Sequence, residues 1–374
     1  MAGILAIKNM NTALQTKPKF TLIGCVCVYL ILVTGLAMGQ PIEILSSDLR
    51  GAVQPQTAAS PNGNVFVTFG KGDLVYCVTS TNGGKSFLPA AEVGSLPKLA
   101  LGMRRGPRIV ASDGQVTISA ISHADGNLYS WTSSDTGVTW SQPVKMNSAD
   151  NAVREGLHGM ASDGRGKVFA VWLDLRSKGT QLWGVSSGDG GKSWGKDLVV
   201  YQSPDGHICE CCHPSVTVME NGAIRVMWRN WLGGSRDMFA TVSTDEGKTF
   251  PAAEKLGTGT WLLNGCPMDG GSLAGSYSTW RRGGAVYFTD NQSGEHLLAD
   301  GRQPIVVVKN DAPYFVWQEG SRLMMNKGTV VKPIVLAESG AYPVMATGTK
   351  DLGPIVVWES ATNGVQTILA EILH

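Results

Sequence analysis

Stretches in which apolar and polar residues alternate recur along this chain, and each stretch ends in an aromatic or apolar residue followed by a polar cluster. A shorter alternating stretch, such as Pro214–Val218, lies upstream of each one. Alternation with period two predicts β-strands with one buried face, and almost no helical periodicity is visible. The cycle occurs seven times, ending at Phe69-Gly70-Lys71, Ile121-Ser122-His123, Trp172-Leu173-Asp174, Trp228-Arg229-Asn230, Trp280-Arg281-Arg282, Trp317-Gln318-Glu319 and Trp358-Glu359.

An eight-residue phrase with the pattern S-x-[DN]-x-G-x-[ST]-[WF] gives these cycles a fixed period. Successive copies start 53, 54 and 56 residues apart, and they are Ser80–Phe87, Ser133–Trp140, Ser187–Trp194 and Ser243–Phe250. In each copy the Asp or Asn can accept backbone N–H bonds, the Gly at the fifth position can take positive φ, and the aromatic residue can pack the turn against the sheet. Such a period in a strand-rich chain predicts an all-β propeller of seven four-stranded antiparallel blades.

The last cycle ends near His374 without an outer strand. Pro41–Leu45 has the pattern of the outer strands elsewhere, so we expect it to complete the last blade and close the ring. Closure of this kind would remove exposed sheet edges. We therefore predict that residues 40–374 form a single β-propeller domain.

Residues 1–39 have the features of an export signal. They contain Lys8, Lys17 and Lys19, no acid, and the apolar run from Phe20 to Ala37. Small residues before Gln40 favour cleavage there, although the run is almost long enough for an uncleaved anchor. The mature protein is expected to be periplasmic or extracellular, touching a membrane only through the leader if that segment is retained.

Charge excludes some classes of partner. The formal net charge is +1, and removing the three lysines of the leader changes it to −2. No basic stripe for nucleic acid is present. We expect a monomer without nucleic-acid partners.

The repeated phrase resembles the Asp box of the sialidase superfamily. The resemblance implies a propeller with Asp boxes on the side away from the catalytic face, and six blades where our count gives seven. It also implies an arginine cluster for the substrate carboxylate, an Asp as acid/base, and a Tyr activated by a Glu as nucleophile.

The loops that enter the inner strand and leave the second strand of each blade should open on one face. These loops contain most of the candidate functional side chains, including Arg104, Met268, Asp269 and Gln303. Converging arginines suit an acidic sugar, because a guanidinium binds a carboxylate with two parallel hydrogen bonds.

The resemblance assigns roles to several of these residues. Arg108 corresponds to the first arginine of the family, with Arg229 and Arg281 or Arg282 for the others and Arg176 nearby. Tyr342 would pair with Glu319 or Glu359 as nucleophile, and Asp125 or Asp174 would be the acid. Trp231 is the candidate for stacking on a sugar.

The phrase Cys209-Glu210-Cys211-Cys212-His213 is the most unusual in the chain, and Cys266-Pro267-Met268-Asp269 occupies the equivalent loop of the next blade. In an oxidising compartment we expect at least one disulfide linking Cys266 to this group. The alternative is copper or zinc held by Cys209, Cys211, Cys212, His213, Cys266 and Met268. Cys77 lies in an alternating strand and is expected to be a buried free thiol.

The sequence thus predicts an exported, sialidase-like glycoside hydrolase that removes terminal sialic acid or a related acidic sugar without a required cofactor. The competing interpretation is a non-catalytic propeller that binds a ligand or metal through its Cys/His-rich upper face.

Overall fold

The structure, a computed structural model, describes residues 39–290, 292–330, 332–348, 351–362 and 364–374. Apart from Gly39, the predicted leader lies outside these residues. Within the described ranges, no helix is long and apolar enough to cross a bilayer.

Alternating strands form seven four-stranded antiparallel sheets, as the periodicity predicts. The first blade contains β2–β5 and follows a short strand β1 and a 3-10 turn. The bounds from the N-terminus to the end of the third blade are β1 Ile42–Glu43, the 3-10 turn Ser47–Leu49, β2 Val53–Ala59, β3 Val65–Lys71, β4 Leu74–Ser80, β5 Ala91–Ser95, β6 Arg108–Ser112, β7 Gln115–Ser122, β8 Asn127–Ser133, β9 Val144–Lys145, β10 His158–Ser162, β11 Val168–Asp174, β12 Gln181–Ser187 and β13 Leu198–Tyr201.

The remaining blades continue the same order, with β26–β28 in the seventh. Their bounds are β14 Ser215–Val218, β15 Ile224–Arg229, β16 Met238–Ser243, β17 Glu254–Lys255, β18 Ser272–Ala274, β19 Tyr277–Arg282, β20 Ala285–Thr289, β21 His296–Asp300, β22 Arg302–Lys309, β23 Ala312–Glu319, β24 Arg322–Lys327, β25 Ile334–Ala337, β26 Ala341–Ala346, β27 Ile355–Thr362 and β28 Val365–Ile372.

The first strand of each blade lines the centre of a closed ring. Each of these inner strands contacts the inner strand of the next blade, and the last of them, β26, contacts β2. The count of seven blades is therefore confirmed, and the six that the resemblance implies do not apply to this chain.

The N-terminal strand completes the seventh blade. β1 pairs antiparallel with β28, with Ile42 opposite Ala370 and Glu43 opposite Leu369. Glu43 also accepts a hydrogen bond of 2.7 Å from the Thr367 hydroxyl. The predicted closure by an outer strand near Pro41–Leu45 is confirmed.

Six tryptophans are fully buried between the sheets: Trp131, Trp172, Trp228, Trp280, Trp317 and Trp358. Five of them end the alternating stretches described above. Removing one such side chain typically costs about 3–5 kcal/mol. They fix the spacing of the blades and hence the shape of the central channel.

The four Asp boxes form the turns between third and outer strands. In the copy at Ser133–Trp140, Asp135 accepts hydrogen bonds from Ser133 Oγ, from Thr139 N and from Thr139 Oγ1 at 2.8, 2.9 and 2.6 Å. The bonds from Thr139 and Ser133 lower the pKa of Asp135 to about 2. The Gly at the fifth position of every copy has positive φ, 85° at Gly137 for example, as predicted.

Candidate functional site

A channel of about 770 Å³ runs through the ring between the inner strands, and Arg104, Arg108 and His213 lie among its lining residues. Because strands alternate in direction, the loops entering inner strands and leaving second strands lie at one end, which we call the mouth. The Asp boxes lie at the other end, which we call the Asp-box face. This arrangement agrees with the prediction from topology.

Three inner strands begin with the same distorted unit, a residue of positive φ followed by a proline. Gln54, Gln303 and Tyr342 have φ of 59°, 54° and 51°, and each precedes a proline. The strand register shifts at each of these positions. Left-handed conformation is costly for residues other than glycine, and it is more frequent at functional sites.

Buried carboxylates from neighbouring blades hold two of these units in place. Glu359 Oε1 accepts hydrogen bonds from the backbone N and the Nε2 of Gln54, at 2.6 and 2.9 Å. Asp269 Oδ2 accepts the backbone N–H of Gln303 at 2.7 Å. Burial raises the pKa of Glu359, although the bonds from Gln54 and the charge of Arg104 partly offset that effect.

Arg104 bridges the mouth from blade two to blades six and seven. Its Nε donates to Gln303 Oε1, and its Nη1 donates to the carbonyl of Pro343 at 3.1 Å. Its guanidinium carbon lies 5.6 Å from the centre of the Tyr342 ring. In a ring of seven, blades two and six are as far apart as two blades can be, so one side chain connects opposite walls of the channel.

Among the buried polar atoms without a partner in the described residues are Asp269 Oδ1 and His213 Nδ1, both near the mouth. Asp269 is fully buried, and its neighbour Gly270 lies against His213, because the added methyl of an alanine at Gly270 would meet His213 Nδ1 at 2.7 Å. Burial and the charges of Arg104, Arg108 and Arg229 hold the pKa of His213 well below its usual range. Unpaired buried polar atoms are rare, so these two atoms mark a position suited to a polar ligand.

The two arginines that the sequence places first in a substrate cluster bind backbone carbonyls instead. Arg108 donates to the carbonyls of His158, Gly106, Pro107 and Arg104. Arg229 donates to those of Asp269, Arg236 and Arg281. Burial lowers the pKa of Arg108 to about 9. The structure therefore does not bring Arg108 and Arg229 together around a free carboxylate position.

The other predicted arginines have local partners. Arg176 pairs with Asp174 and Asp197 and stacks on Trp183, with its guanidinium 3.6 Å from the ring centre. Arg282 pairs with Glu295 through two bonds of 2.6 and 2.7 Å.

Arg281 donates to the carbonyl of Gly283 at 2.6 Å and lies 5.7 Å from the Trp261 ring. Arg281 is therefore held at the start of the β19–β20 turn by its own hairpin and by the loop that leads into blade five.

The acids predicted to be catalytic also have partners close to them in the sequence. Asp174 is buried and accepts bonds from Trp172 and Arg176, whereas Glu319 pairs with Arg322. Asp125 is exposed; partial burial raises its pKa, but bonds from Tyr129 and Asn127 outweigh this and lower it.

Of the two proposed partners for Tyr342, only Glu359 lies on the adjacent strand, opposite Ala341. Its oxygens bind the amides of Gln54 and Gln366. The strand pairing thus brings Glu359 opposite Ala341, the residue before Tyr342, whereas Glu319 belongs to a different blade.

Trp231 lies beside the cysteine loops. Its ring is 4.3 Å from that of His207, edge to face, and the guanidinium of Arg236 lies over it at 4.3 Å. The stacking role predicted for Trp231 therefore competes with a cation already placed on that ring.

Three cysteine sulfurs converge in the loop before β14. Cys209 Sγ lies 3.6 Å from Cys211 Sγ and 3.5 Å from Cys212 Sγ, and Arg236 Nη1 donates to it at 3.1 Å. Cys266 is exposed and outside this group, and all five described cysteines are free thiols, including buried Cys77 as predicted. The expected disulfide between blades four and five is not formed in this structure.

The sequence analysis missed Gln54 and gave no role to Asp269 or Arg104. The recurring signal was an X-Pro pair at the start of an inner strand, in Gln54-Pro55, Gln303-Pro304 and Tyr342-Pro343. The contacts of Arg104 span 199 and 239 residues, and no local pattern reports them.

Comparison with solved structures shows the same fold at low identity. An α-L-arabinanase of Penicillium chrysogenum in complex with arabinobiose has a TM-score of 0.52 at 14% identity, covering 90% of this chain and 98% of that one. An ulvan lyase bound to -[GlcA(1-4)Rha3S]- has a TM-score of 0.51 at 10% identity, covering 88% and 95%. A Hadza microbial sialidase has a TM-score of 0.47 at 15% identity, covering 82% and 76%.

Sequence comparison identifies the family. No curated protein sequence matches significantly. A family model described as a BNR repeat-like domain matches residues 115–348, which is more than half of the chain and includes three of the four Asp boxes. The resemblance carried by the Asp boxes is thus confirmed, and the chain belongs to the family described as BNR repeat-like.

Proposed function

We propose that this protein hydrolyses a glycan at the mouth of its channel and that the sugar it removes is acidic, sialic acid or a relative. The fold is similar to that of proteins named as an arabinanase and an ulvan lyase, the second bound to a glucuronate-containing saccharide. Both names support a carbohydrate as the substrate class. Identity is low, so the proposal depends on the residues of this chain.

The observation that carries the proposal is the meeting of one cation, two buried carboxylates and a tyrosine at the mouth. Arg104 lies next to Tyr342 and binds Gln303, which Asp269 holds in turn. The charge of Arg104 also acts on Glu359. Glycosidases combine an acid that retains its proton with a second group that acts on the opposite side of the sugar.

The environments of these groups suggest their roles. Burial raises the pKa of Glu359, which favours a protonated carboxyl able to donate its proton to a leaving oxygen. In its ionised form the same carboxylate can instead accept the proton of Tyr342. Asp269 has one oxygen without a partner and can accept a sugar hydroxyl. Arg104 can exchange its bond to Gln303 for a stronger one to a substrate carboxylate.

Turnover of fluorogenic glycosides tests the proposal. The panel contains a sialoside, a glucuronide and an uncharged arabinoside. We expect release from an acidic member, reduced about 100-fold or more in Glu359→Gln and Tyr342→Phe. Glu319→Gln is the matched control, because Glu319 is a partly exposed acid paired with Arg322, and its turnover should remain unchanged. Full activity in Tyr342→Phe or Glu359→Gln would contradict the assigned roles.

A second candidate is a propeller that binds acidic glycans without cleaving them. Its support is the engagement of Arg108 and Arg229 with backbone carbonyls, which leaves Arg104 as the cation at the centre of the described mouth. Binding of the intact sialoside or glucuronide by calorimetry, with no released fluorophore, would favour this candidate. Binding lost in Arg104→Gln would locate it at the same mouth.

We also propose that residues 1–39 direct export and are removed before Gln40. The support is the lysine-rich start, the apolar run and the small residues of Ala37-Met38-Gly39. Protein recovered outside the cytoplasm should begin at Gln40 by N-terminal sequencing. A retained Met1 in that fraction would favour an anchor.

A further inference from the structure

The cysteine loop of blade four forms a closed group of sulfur atoms. Cys209, Cys211 and Cys212 have exposed fractions of 0, 8 and 1%, and their sulfurs all lie within 4.8 Å of one another. The sulfur of Cys209 lies 3.6 and 3.5 Å from the other two. Sulfurs around a shared tetrahedral ion with bonds of about 2.3 Å would lie about 3.8 Å apart, so the group needs only a small expansion to hold one.

The same distances do not favour a particular disulfide. A disulfide bond is about 2.05 Å long, and Cys209 has two partners at nearly equal separations. Adjacent Cys211 and Cys212 would be strained partners. Cys266, the predicted partner from blade five, is exposed and lies outside the group. A shared ligand accounts for all three buried sulfurs at once.

The surroundings hold the loop in place before any ligand binds. The backbone N–H of Cys209 donates to the carbonyl of Arg229 at 3.1 Å, and Ile208 forms a β-bridge with Asn230. Arg236 donates to Cys209 Sγ, and its own carbonyl accepts a bond from Arg229. The two arginines join the sulfur group to blade five, so the site does not need to be assembled by the ligand.

The donor set distinguishes between soft metals. Structural zinc prefers four Cys or His ligands, and in the described part of the chain no His or further Cys joins the three sulfurs. Met268, whose side chain carries a thioether, packs against the group. Thiolates with a thioether suit copper(I), and the guanidinium of Arg236 offsets part of the negative charge of three thiolates.

We propose that Cys209, Cys211 and Cys212 bind one copper(I) ion as thiolates, with Met268 as a weaker fourth ligand. This inference is independent of the proposed glycan activity, because none of the four residues has a role in it. The three cysteines lie in a different loop from Glu359, Tyr342 and Asp269, whereas Met268 directly precedes Asp269.

Copper(I) titration of the reduced protein, in competition with a chromogenic copper(I) chelator, tests the site directly. We expect one equivalent bound and a new sulfur-to-copper absorption in the near ultraviolet. Affinity should fall at least about 100-fold in Cys209→Ser and about 10-fold in Met268→Leu. Cys77→Ser is the matched control, because Cys77 is a buried free thiol in blade one, and it should bind as wild type.

Other outcomes would overturn the proposal. Failure of the wild-type protein to compete for copper(I) would do so, as would tighter zinc than copper binding that is insensitive to Met268→Leu. A peptide containing Cys266 joined to Cys209, Cys211 or Cys212 in protein digested without reductant would show the disulfide clasp instead. Met268→Leu keeps all three thiols, so its result remains interpretable if Cys209→Ser does not fold.

Discussion

Acidic side chains at the two ends of the propeller have opposite environments. On the Asp-box face, exposed Asp135 accepts bonds from Ser133 and Thr139, and its pKa falls to about 2. At the mouth, Asp269 is fully buried and has an oxygen without a partner, and burial raises the pKa of Glu359.

The difference separates acids that hold the fold from acids available to a ligand. A carboxylate whose oxygens are filled by its own turn stabilises that turn and can do little else. A buried carboxylate with an unused oxygen costs stability, and such costs are typical of functional sites.

The largest effect is expected within one Asp box. Gly191 has φ of 88°, and an added methyl would meet Thr117 Cγ2 at 2.5 Å, whereas Gly188 in the same turn has no atom within 4 Å. Gly191→Ala should lower the free energy of unfolding by about 3 kcal/mol, and Gly188→Ala by less than about 1 kcal/mol. Urea unfolding measures both free energies. Equal losses of stability in the two variants would show that the positive φ of Gly191 is not required.

The second effect concerns ligand binding at the two ends. Asp269→Asn should weaken glycan binding about 10- to 100-fold, since it removes a charged acceptor from the mouth. Asp135→Asn, the same change on the Asp-box face, should leave binding within about 2-fold. Calorimetry with the acidic saccharide that the wild type binds best gives both values. Equal weakening would mean that the unpaired oxygen of Asp269 has no special role.

The third effect is a pH dependence of stability at Asp189. Slight burial raises its pKa, but bonds from Ser193 and Ser187 outweigh this and lower the pKa to about 2. A lowered folded pKa adds stability above the unfolded value of about 3.9, and this gain is lost as the pH falls towards 2. Asp189→Asn should cost about 1 kcal/mol at pH 6, a figure reduced for solvent screening, and almost nothing at pH 2.

The smallest effect is the opposite pH dependence at Glu359. Burial raises its pKa, so its ionisation opposes folding increasingly as the pH rises above the unfolded value of about 4.3. Relative to wild type, Glu359→Gln should therefore be more stable at pH 8 than at pH 4. Unfolding curves at both pH values measure the trend. A pH trend of the same sign as that of Asp189→Asn would contradict the contrast between the two ends.

The fold could be predicted from the sequence because the pattern that specifies one blade is local and recurs along the chain. The spacing of the Asp boxes gives the length of one blade. The alternating stretches, such as those ending at Trp172, Trp228 and Trp280, occur seven times and so give the number of blades in the ring. The closing strand at Ile42–Glu43 followed from its likeness to other outer strands.

The sequence predicts at which face of the molecule the candidate site lies, but not how the side chains are arranged within it. The sequence places Arg108, Arg229 and Tyr342 at the mouth, but it does not reveal that Arg108 and Arg229 bind backbone carbonyls. Arg108 binds three carbonyls of its own loop and that of His158, 50 residues away, and the partners of Arg229 lie up to 52 residues away. The bridge formed by Arg104 depends on the width of the closed ring, a property that no single blade encodes.

Pairing of β1 with β28 also imposes an order of events on this chain. The residues that cover the edge of the seventh sheet are translated before any blade, and their partner strand is translated after the other six blades. The seventh sheet cannot gain its outer strand until Val365–Ile372 has been synthesised, so ribosome-bound fragments should keep an open seam. Trapping such fragments with a strand-binding peptide would show the seam, and release of the full chain should abolish the capture.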